Sequence, residues 1–297
     1  MSEELSIAVL GVGAIGGCMA AALGDAGHSV QLCVRTPFEQ LVRNLDGERT
    51  SYAHPVLTDA SQVQTVDWLC LCTKAHQIAA AEPWLRALIG PRTRVAVMQN
   101  GVDHAERVVE YVSADRVLPG VVMLPASAPA AGVVEQARAA SVQVPDTNFG
   151  AQFKSLFVGQ EVIRIDPVAD FTSALWGKLV FNAVGGAVCA LTLSPLGAIT
   201  APGIKQLVTD LIEEVVAVAR AEGAVMSDNC AQETITYFQG PVRDHWTSIA
   251  QDRRAGRLME WEARNSAVGR IARRHGIATP FNDAMTALLA LVDDPAY

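Results

Sequence analysis

Short apolar runs alternate with helical periodicity over the first half of the chain, and helical periodicity alone continues through the second half. Residues 5–10 form a short apolar run that leads into Gly11-Val-Gly13-Ala14-Ile15-Gly16-Gly17. An alanine-rich helix then closes at Gly27-His28, and residues 29–34 read as a second strand. Residues 67–72 and 93–98 read as further buried parallel strands, with a helical segment over 75–89 between them. Residues 117–124, 133–134 and 142–144 predict extra strands at the sheet edge, and the Pro/Ala-rich run 125–131 predicts a loop. Beyond Asp166-Pro167 the pattern predicts helices over 170–190, 203–222, 228–238, 246–254, 257–275 and 280–292, with Gly223 and Gly276 as caps. This alternation implies an α/β doubly wound sheet domain over 1–167, followed by an all-α domain over 168–297.

The glycine spacing gives the first domain a candidate ligand. In G-x-G-x-x-G, Gly11 allows the tight turn, Gly13 lets a pyrophosphate approach the backbone, and Gly16 lets the helix pack on the strand. The helix start at Ala14 and Ile15 turns free N–H groups and a positive dipole end toward phosphates. A dinucleotide site is expected. In NAD-binding versions a carboxylate ends the second strand and accepts from the ribose 2′-OH. Here that place holds Arg35, and no carboxylate follows until Glu39. A guanidinium pairs with a 2′-phosphate, so the expected cofactor is NADP.

Composition narrows the setting. Half of the 297 residues are apolar and 18% are charged, which implies a globular chain. A formal net charge of −8 argues against nucleic acid and against a polybasic membrane surface. The cysteines at 18, 33, 70, 72, 189 and 230 form no C-x-x-C pair, so no metal site is expected and they read as thiols of a reducing compartment. No signal-peptide pattern precedes the first strand, so a cytoplasmic protein is expected. Residues 179–204 carry no charge and are long enough to span a bilayer. Asn182, two adjacent glycines and two prolines interrupt them, so a buried helix followed by a loop is expected and no membrane partner.

Ligands in open parallel sheets lie beyond the carboxyl ends of the strands. Thr73-Lys74 and Gln99-Asn100-Gly101 stand at two such ends. Only four lysines accompany 19 arginines, and one of them, Lys178, lies in an apolar helix with Asn182 on the same face at i, i+4. Desolvation lowers an ammonium pKa, and such a lysine suits a general acid. A third cluster comprises Ser248, Asp252, Glu260, Glu262 and Asn265, ending at His275-Gly276 and Pro280.

In this order, the glycine loop, Lys74-Ala-x-Gln77, Gln99-Asn100-Gly101, Lys178-Leu-x-x-Asn182, Ser248-x-x-x-Asp252, Glu260-x-x-x-x-Asn265 and His275-Gly-Ile-x-x-Pro280 resemble the ketopantoate reductase (2-dehydropantoate 2-reductase) family over nearly the whole chain. The resemblance implies a Rossmann-type domain and a helical domain like the C-terminal one of 6-phosphogluconate dehydrogenase. It also implies NADPH-dependent reduction of a 2-oxo acid to a 2-hydroxy acid in a cleft between the two. Lys178 would be the general acid, Glu260 would fix a substrate hydroxyl, and Ser248 would donate to the carboxylate. Asn100 would position substrate and nicotinamide beside Asn182, while Lys74 and Gln77 would line the cofactor side. A homodimer is compatible with it. Two asparagines usual in the family are replaced by Gly186 and Leu196, and Glu262 stands for an aspartate. These departures imply a more apolar substrate pocket. A dehydrogenase for another branched or aromatic 2-hydroxy acid and a non-catalytic NADP-binding sensor are the alternatives.

Overall fold

A computed structural model describes residues 5–137, 140–294 and 296. The chain forms two compact units. One runs to Gln99 and resumes over His104–Phe171; the other joins Asn100–Asp103 to the residues from Thr172 onward.

Among the described residues, the first unit holds three sheets. Its elements in chain order are β1 (Ile7–Leu10), α1 (Ala14–Asp25), β2 (Val30–Cys33), β3 (Leu41–Leu45), β4 (Glu48–Tyr52), β5 (Val56–Leu57), β6 (Trp68–Leu71), α2 (Glu82–Leu88) and β7 (Arg94–Val97). There follow α3 (His104–Val108), β8 (Val117–Pro119), β9 (Val121–Met123), β10 (Ala126–Ala130), β11 (Val133–Gln136), β12 (Ser141–Pro145), α4 (Asn148–Ser155) and β13 (Arg164–Val168). The main sheet is parallel, in the order β5-β2-β1-β6-β7-β8. Its order reverses between β2 and β6 on either side of β1, which places the switch point at the glycine turn after β1. The expected doubly wound sheet is present.

The edge elements differ from expectation. Residues 117–124 break at Gly120 into β8, on the main sheet, and β9, which joins β12 and β13 in a three-stranded sheet. The run expected to be a loop contains β10, the edge of a sheet ordered β10-β11-β3-β4. Its proline at 129 is tolerated because an edge strand leaves one side unpaired, and the register shifts there. The β3–β4 hairpin turns at Asp46-Gly47, both at positive φ (49° and 88°), the geometry that favours this dipeptide.

Helix α1 is apolar all round because both of its sides are covered. A Cβ on Gly17 would lie 2.5 Å from Val134 Cγ1, on the second sheet, and one on Gly16 would lie 2.1 Å from the Gly11 carbonyl oxygen.

The second unit comprises α5 (Phe171–Thr192), α6 (Lys205–Ala221), α7 (Cys230–Gln239), α8 (Ser248–Arg254), α9 (Ala267–Arg274) and α10 (Pro280–Asp293). Helix α5 is apolar and long enough to cross a bilayer, yet Trp176, Leu179, Val180 and residues 183–190 are buried among its neighbours. The helix expected over 257–275 is broken. Residues 257–261 are not helical, Glu262–Ser266 forms a π turn, and only then does α9 begin. Asp293 causes the break, because its carboxylate accepts from the Met259 backbone N–H and the Trp261 indole N–H, both at 3.0 Å.

The contact at Gly16 is with backbone, so Gly16→Ala should lower stability by about 1–3 kcal/mol. Gly13→Ala, whose added methyl meets nothing within 4 Å, should stay within about 0.5 kcal/mol of wild type. Urea unfolding midpoints of the two variants check this.

Candidate active site

The turn after β1 presents backbone only. Gly11, at φ 92°, lies so close to Thr73 that a Cβ would come within 2.7 Å of its backbone nitrogen. Gly13 caps α1 without a side chain, faces open space, and is followed by Ala14 and Ile15 with no acidic residue in the first helical turn. A cradle of this shape, at a helix N-terminus with its positive dipole end free, fits a dinucleotide pyrophosphate. Arg35 lies exposed just past β2. Lys74 and Gln77 flank a single 3₁₀ turn, where Gln77 Oε1 accepts from the Lys74 backbone N–H at 3.1 Å. Gln99 is buried, and its Nε2 donates to the carbonyl and hydroxyl of Thr73 at 2.9 and 3.0 Å, tying together the ends of β6 and β7.

Residues 100–103 pack with the helices. Val102 joins their apolar core, and Asp103 is ion-paired with Arg270 of α9. The loop thereby delivers Asn100 to a polar chain: Asn182 Nδ2 donates to Asn100 Oδ1 at 3.3 Å, and Asn100 Nδ2 donates to Glu260 Oε2 at 3.1 Å. Glu260 is only 3% exposed, on the non-helical segment that Asp293 pins.

One turn before Asn182 on α5 stands Lys178. Burial, and secondarily the charge of Arg264, brings its ammonium from 10.5 down to about 8, although Glu260 acts in the opposite direction. Arg264 itself is 1% exposed, and its Nη2 donates to Ser248 Oγ at 2.9 Å. Ser248 is exposed at the start of α8. Lys178, Asn182, Asn100, Glu260, Ser248 and Arg264 therefore all belong to the helical unit. Together they offer a proton near neutral pH, a buried carboxylate and several hydrogen-bond donors. Among the described residues, no group of three or more His, Cys, Asp or Glu is placed to hold a metal ion.

Residues 7–148 match the family Ketopantoate reductase PanE/ApbA, and residues 170–293 match its C-terminal family. The chain belongs to the ketopantoate reductase family. It is 41% identical to a 2-dehydropantoate 2-reductase of Caulobacter vibrioides, over 96% of this chain and 98% of that one. It is 37% identical to a 2-dehydropantoate 2-reductase of Mycobacterium tuberculosis, over 97% and 98%. A solved dimeric ketopantoate reductase from Staphylococcus aureus superposes with a TM-score of 0.86 at 25% identity, covering 97% of this chain and 99% of that one. The protein is thus an oxidoreductase of a nicotinamide-dinucleotide-dependent family whose members reduce a 2-oxo acid.

The residues that depart from the family pattern lie in different surroundings. Leu196 packs into the helical core beside Gly185. Gly186 faces a guanidinium, since a Cβ there would stand 2.7 Å from Arg264 Nη1. Arg264 and Asp293 escaped the sequence reading. The signal for Arg264 is its position four residues after Glu260, but a π turn intervenes, so helical spacing does not reveal the shared surroundings. Asn265, prominent in the motif, is wholly buried and ties elements together. Its Nδ2 donates to the Ala183 carbonyl at 3.0 Å and to Asn282 Oδ1 at 3.1 Å, and Asn282 in turn donates to Glu214 of α6. Asn265→Ala in this reductase should cost about 1–3 kcal/mol of stability, read as a lower urea midpoint, with cofactor affinity unchanged.

Proposed function

We propose that this reductase uses NADPH to reduce a 2-oxo acid to the 2-hydroxy acid, with Lys178 as general acid. The observation that carries the reading is a half-buried lysine, brought down to about 8 and within the field of buried Glu260. Bound nicotinamide supplies the hydride to the carbonyl carbon. As negative charge develops on the carbonyl oxygen, the Lys178 ammonium stabilises it and transfers its proton there, leaving a neutral amine and a 2-hydroxy acid. Asn100, held by Asn182 and Glu260, keeps an amide in fixed orientation for substrate and nicotinamide. Asn182 and Ser248 bind the substrate, and Glu260 accepts from a substrate hydroxyl where one is present. On the sheet unit, Gly11, Gly13, Ala14, Ile15 and Gly16 take the pyrophosphate. Arg35 takes the 2′-phosphate, and Lys74 and Gln77 line the cofactor.

Ketopantoate is the first substrate to try, since the relatives from Caulobacter and Mycobacterium bear that enzyme's name. Gly186 and Leu196 favour a second reading, a dehydrogenase for another branched or aromatic 2-hydroxy acid. A sensor without turnover would need none of Lys178, Asn100 and Glu260. The dimeric Staphylococcus relative supports a homodimer. The cytoplasm suits a protein whose six cysteines are all free thiols.

A panel of 2-oxo acids, assayed by NADPH consumption, tests the reading; no consumption with any of them would overturn it. Lys178→Ala should lower kcat by about 10²–10⁴-fold with little change in NADPH affinity. The acid form is the ammonium, so reductive kcat/KM should be level below about pH 8 and fall tenfold per unit above it. A profile still level at pH 9.5, about one and a half units past that value, would remove Lys178 from the role. Arg35→Asp should move the preference from NADPH toward NADH, because a carboxylate repels the 2′-phosphate and accepts from a 2′-hydroxyl. An unchanged ratio of the two kcat/KM values would mean that the phosphate is read elsewhere.

A further inference from the structure

Arg264 is a full positive charge, 1% exposed, within the helical unit. A guanidinium in such a place needs a reason, because desolvating it costs several kcal/mol unless its charge and donors are answered. Its charge is answered from two sides, by Glu260 and by Asp252, the latter held at 3.0 Å by Arg257. Its donors are not all answered, since Nε is buried without a hydrogen-bond partner. Instead of forming a closed two-bond pair with a carboxylate, the fork points Nη2 at the hydroxyl of exposed Ser248 and lays Nη1 over Gly186.

This arrangement has a directional consequence for Ser248. Its oxygen accepts from Arg264, so its own proton is free to point away from the guanidinium, toward solvent and any anion there. A hydroxyl polarised by a cation is also a stronger donor. The glycine at 186 lets the guanidinium lie where it does, because a methyl there would stand 2.7 Å from Nη1 and push it aside.

We propose that Arg264, seated over Gly186, is a positioning residue for the substrate's carboxylate, holding Ser248 as a donor and adding a fixed positive charge behind it. The inference rests on the 2-oxo acid reading above. It makes the glycine at 186 part of the anion-selecting apparatus of this chain.

The test compares Arg264→Gln, Arg264→Lys and Gly186→Ala with wild type. The readouts are KM and kcat for 3-methyl-2-oxobutyrate and for its uncharged methyl ester, and calorimetric binding of oxamate to the NADPH-loaded protein. Arg264→Gln should raise KM for the acid by about tenfold or more and weaken oxamate similarly. It should leave KM for the ester nearly unchanged, so the preference for the anion collapses. Removing the cation beside Lys178 should also move the alkaline limb of kcat/KM upward from about 8, whereas Arg264→Lys, which keeps the charge but loses the fork, should raise KM and leave the limb in place. Gly186→Ala displaces the guanidinium without removing core volume and should raise KM for the acid alone. It keeps the test valid should Arg264→Gln fail to fold. Ser248→Ala should be non-additive with Arg264→Lys in KM, because one acts through the other.

Equal losses for acid and ester, or additive effects of Ser248 and Arg264, would reduce Arg264 to a packing role and overturn the proposal. If wild type reduces no 2-oxo acid, the reading of the reaction fails on its own. The oxamate isotherms then decide on Arg264 separately, with equal affinity in wild type and variants counting against it.

Discussion

Buried charge is the constraint on which the helical unit is organised. Lys178, Glu260, Asp252 and Arg264 lie within one apolar assembly, where an ion left alone would cost several kcal/mol. The set persists because each charge faces an opposite one or a committed donor. Glu260 receives the Asn100 amide, Asp252 receives Arg257, and Arg264 lies in the field of both carboxylates. Lys178 is left the weakest of the cations, with burial and Arg264 both favouring its neutral form. A proton that is easily given up near neutral pH is thus a by-product of desolvating an ammonium beside a second cation.

Such a cluster tolerates little slack, and the surrounding backbone shows how slack is removed. Asp293 interrupts what would be one long helix over 257–275 and fixes Met259 and Trp261 on either side of Glu260. The π turn that follows then carries Arg264 and Asn265 in adjacent positions to different tasks, one charged and one amide. Asn265 and Asn282 connect α5, α6 and α10 through buried hydrogen bonds. The Asp103–Arg270 ion pair and Val102 hold the 100–103 loop in the same way, so Asn100 reaches Glu260 from a rigid support. π turns are rare and recur at functional sites for this reason, since the extra residue re-aims a side chain.

Periodicity made most of the fold legible. The parallel strands of the main sheet are short apolar runs, and α5, α6, α7 and α10 have apolar faces that match their burial. What periodicity missed has local physical causes. Strand β10 contains one proline and three alanines in place of branched residues, and its place at an edge permits it. The β3–β4 hairpin was not anticipated, because its strands carry Arg43, Asn44, Glu48 and Arg49 and so lack alternation. In the site, Lys178 and Asn182 were legible because α5 is a regular helix in which i and i+4 share a face. Arg264 was not, being one of 19 arginines and separated from Glu260 by a turn of the wrong period.

The glycine at 186 shows why a missing side chain is poorly judged from sequence alone. As a letter it reads as the loss of a polar donor, and hence as a more apolar pocket. In the structure the vacated volume is filled by the Arg264 guanidinium, a stronger donor than any amide and one that carries charge. The surroundings of position 186 are therefore cationic. On the proposed reading, such surroundings favour the anionic end common to all 2-oxo acids and offer no amide at 186 to recognise a particular hydroxyl. On the reading proposed above, recognition of a hydroxyl then rests on Glu260, which lies close enough to Lys178 to raise its pKa. On the same proposed reading the charge of Arg264 selects for an anionic end, and Leu196, packed against the core, offers no polar group to restrict the tail.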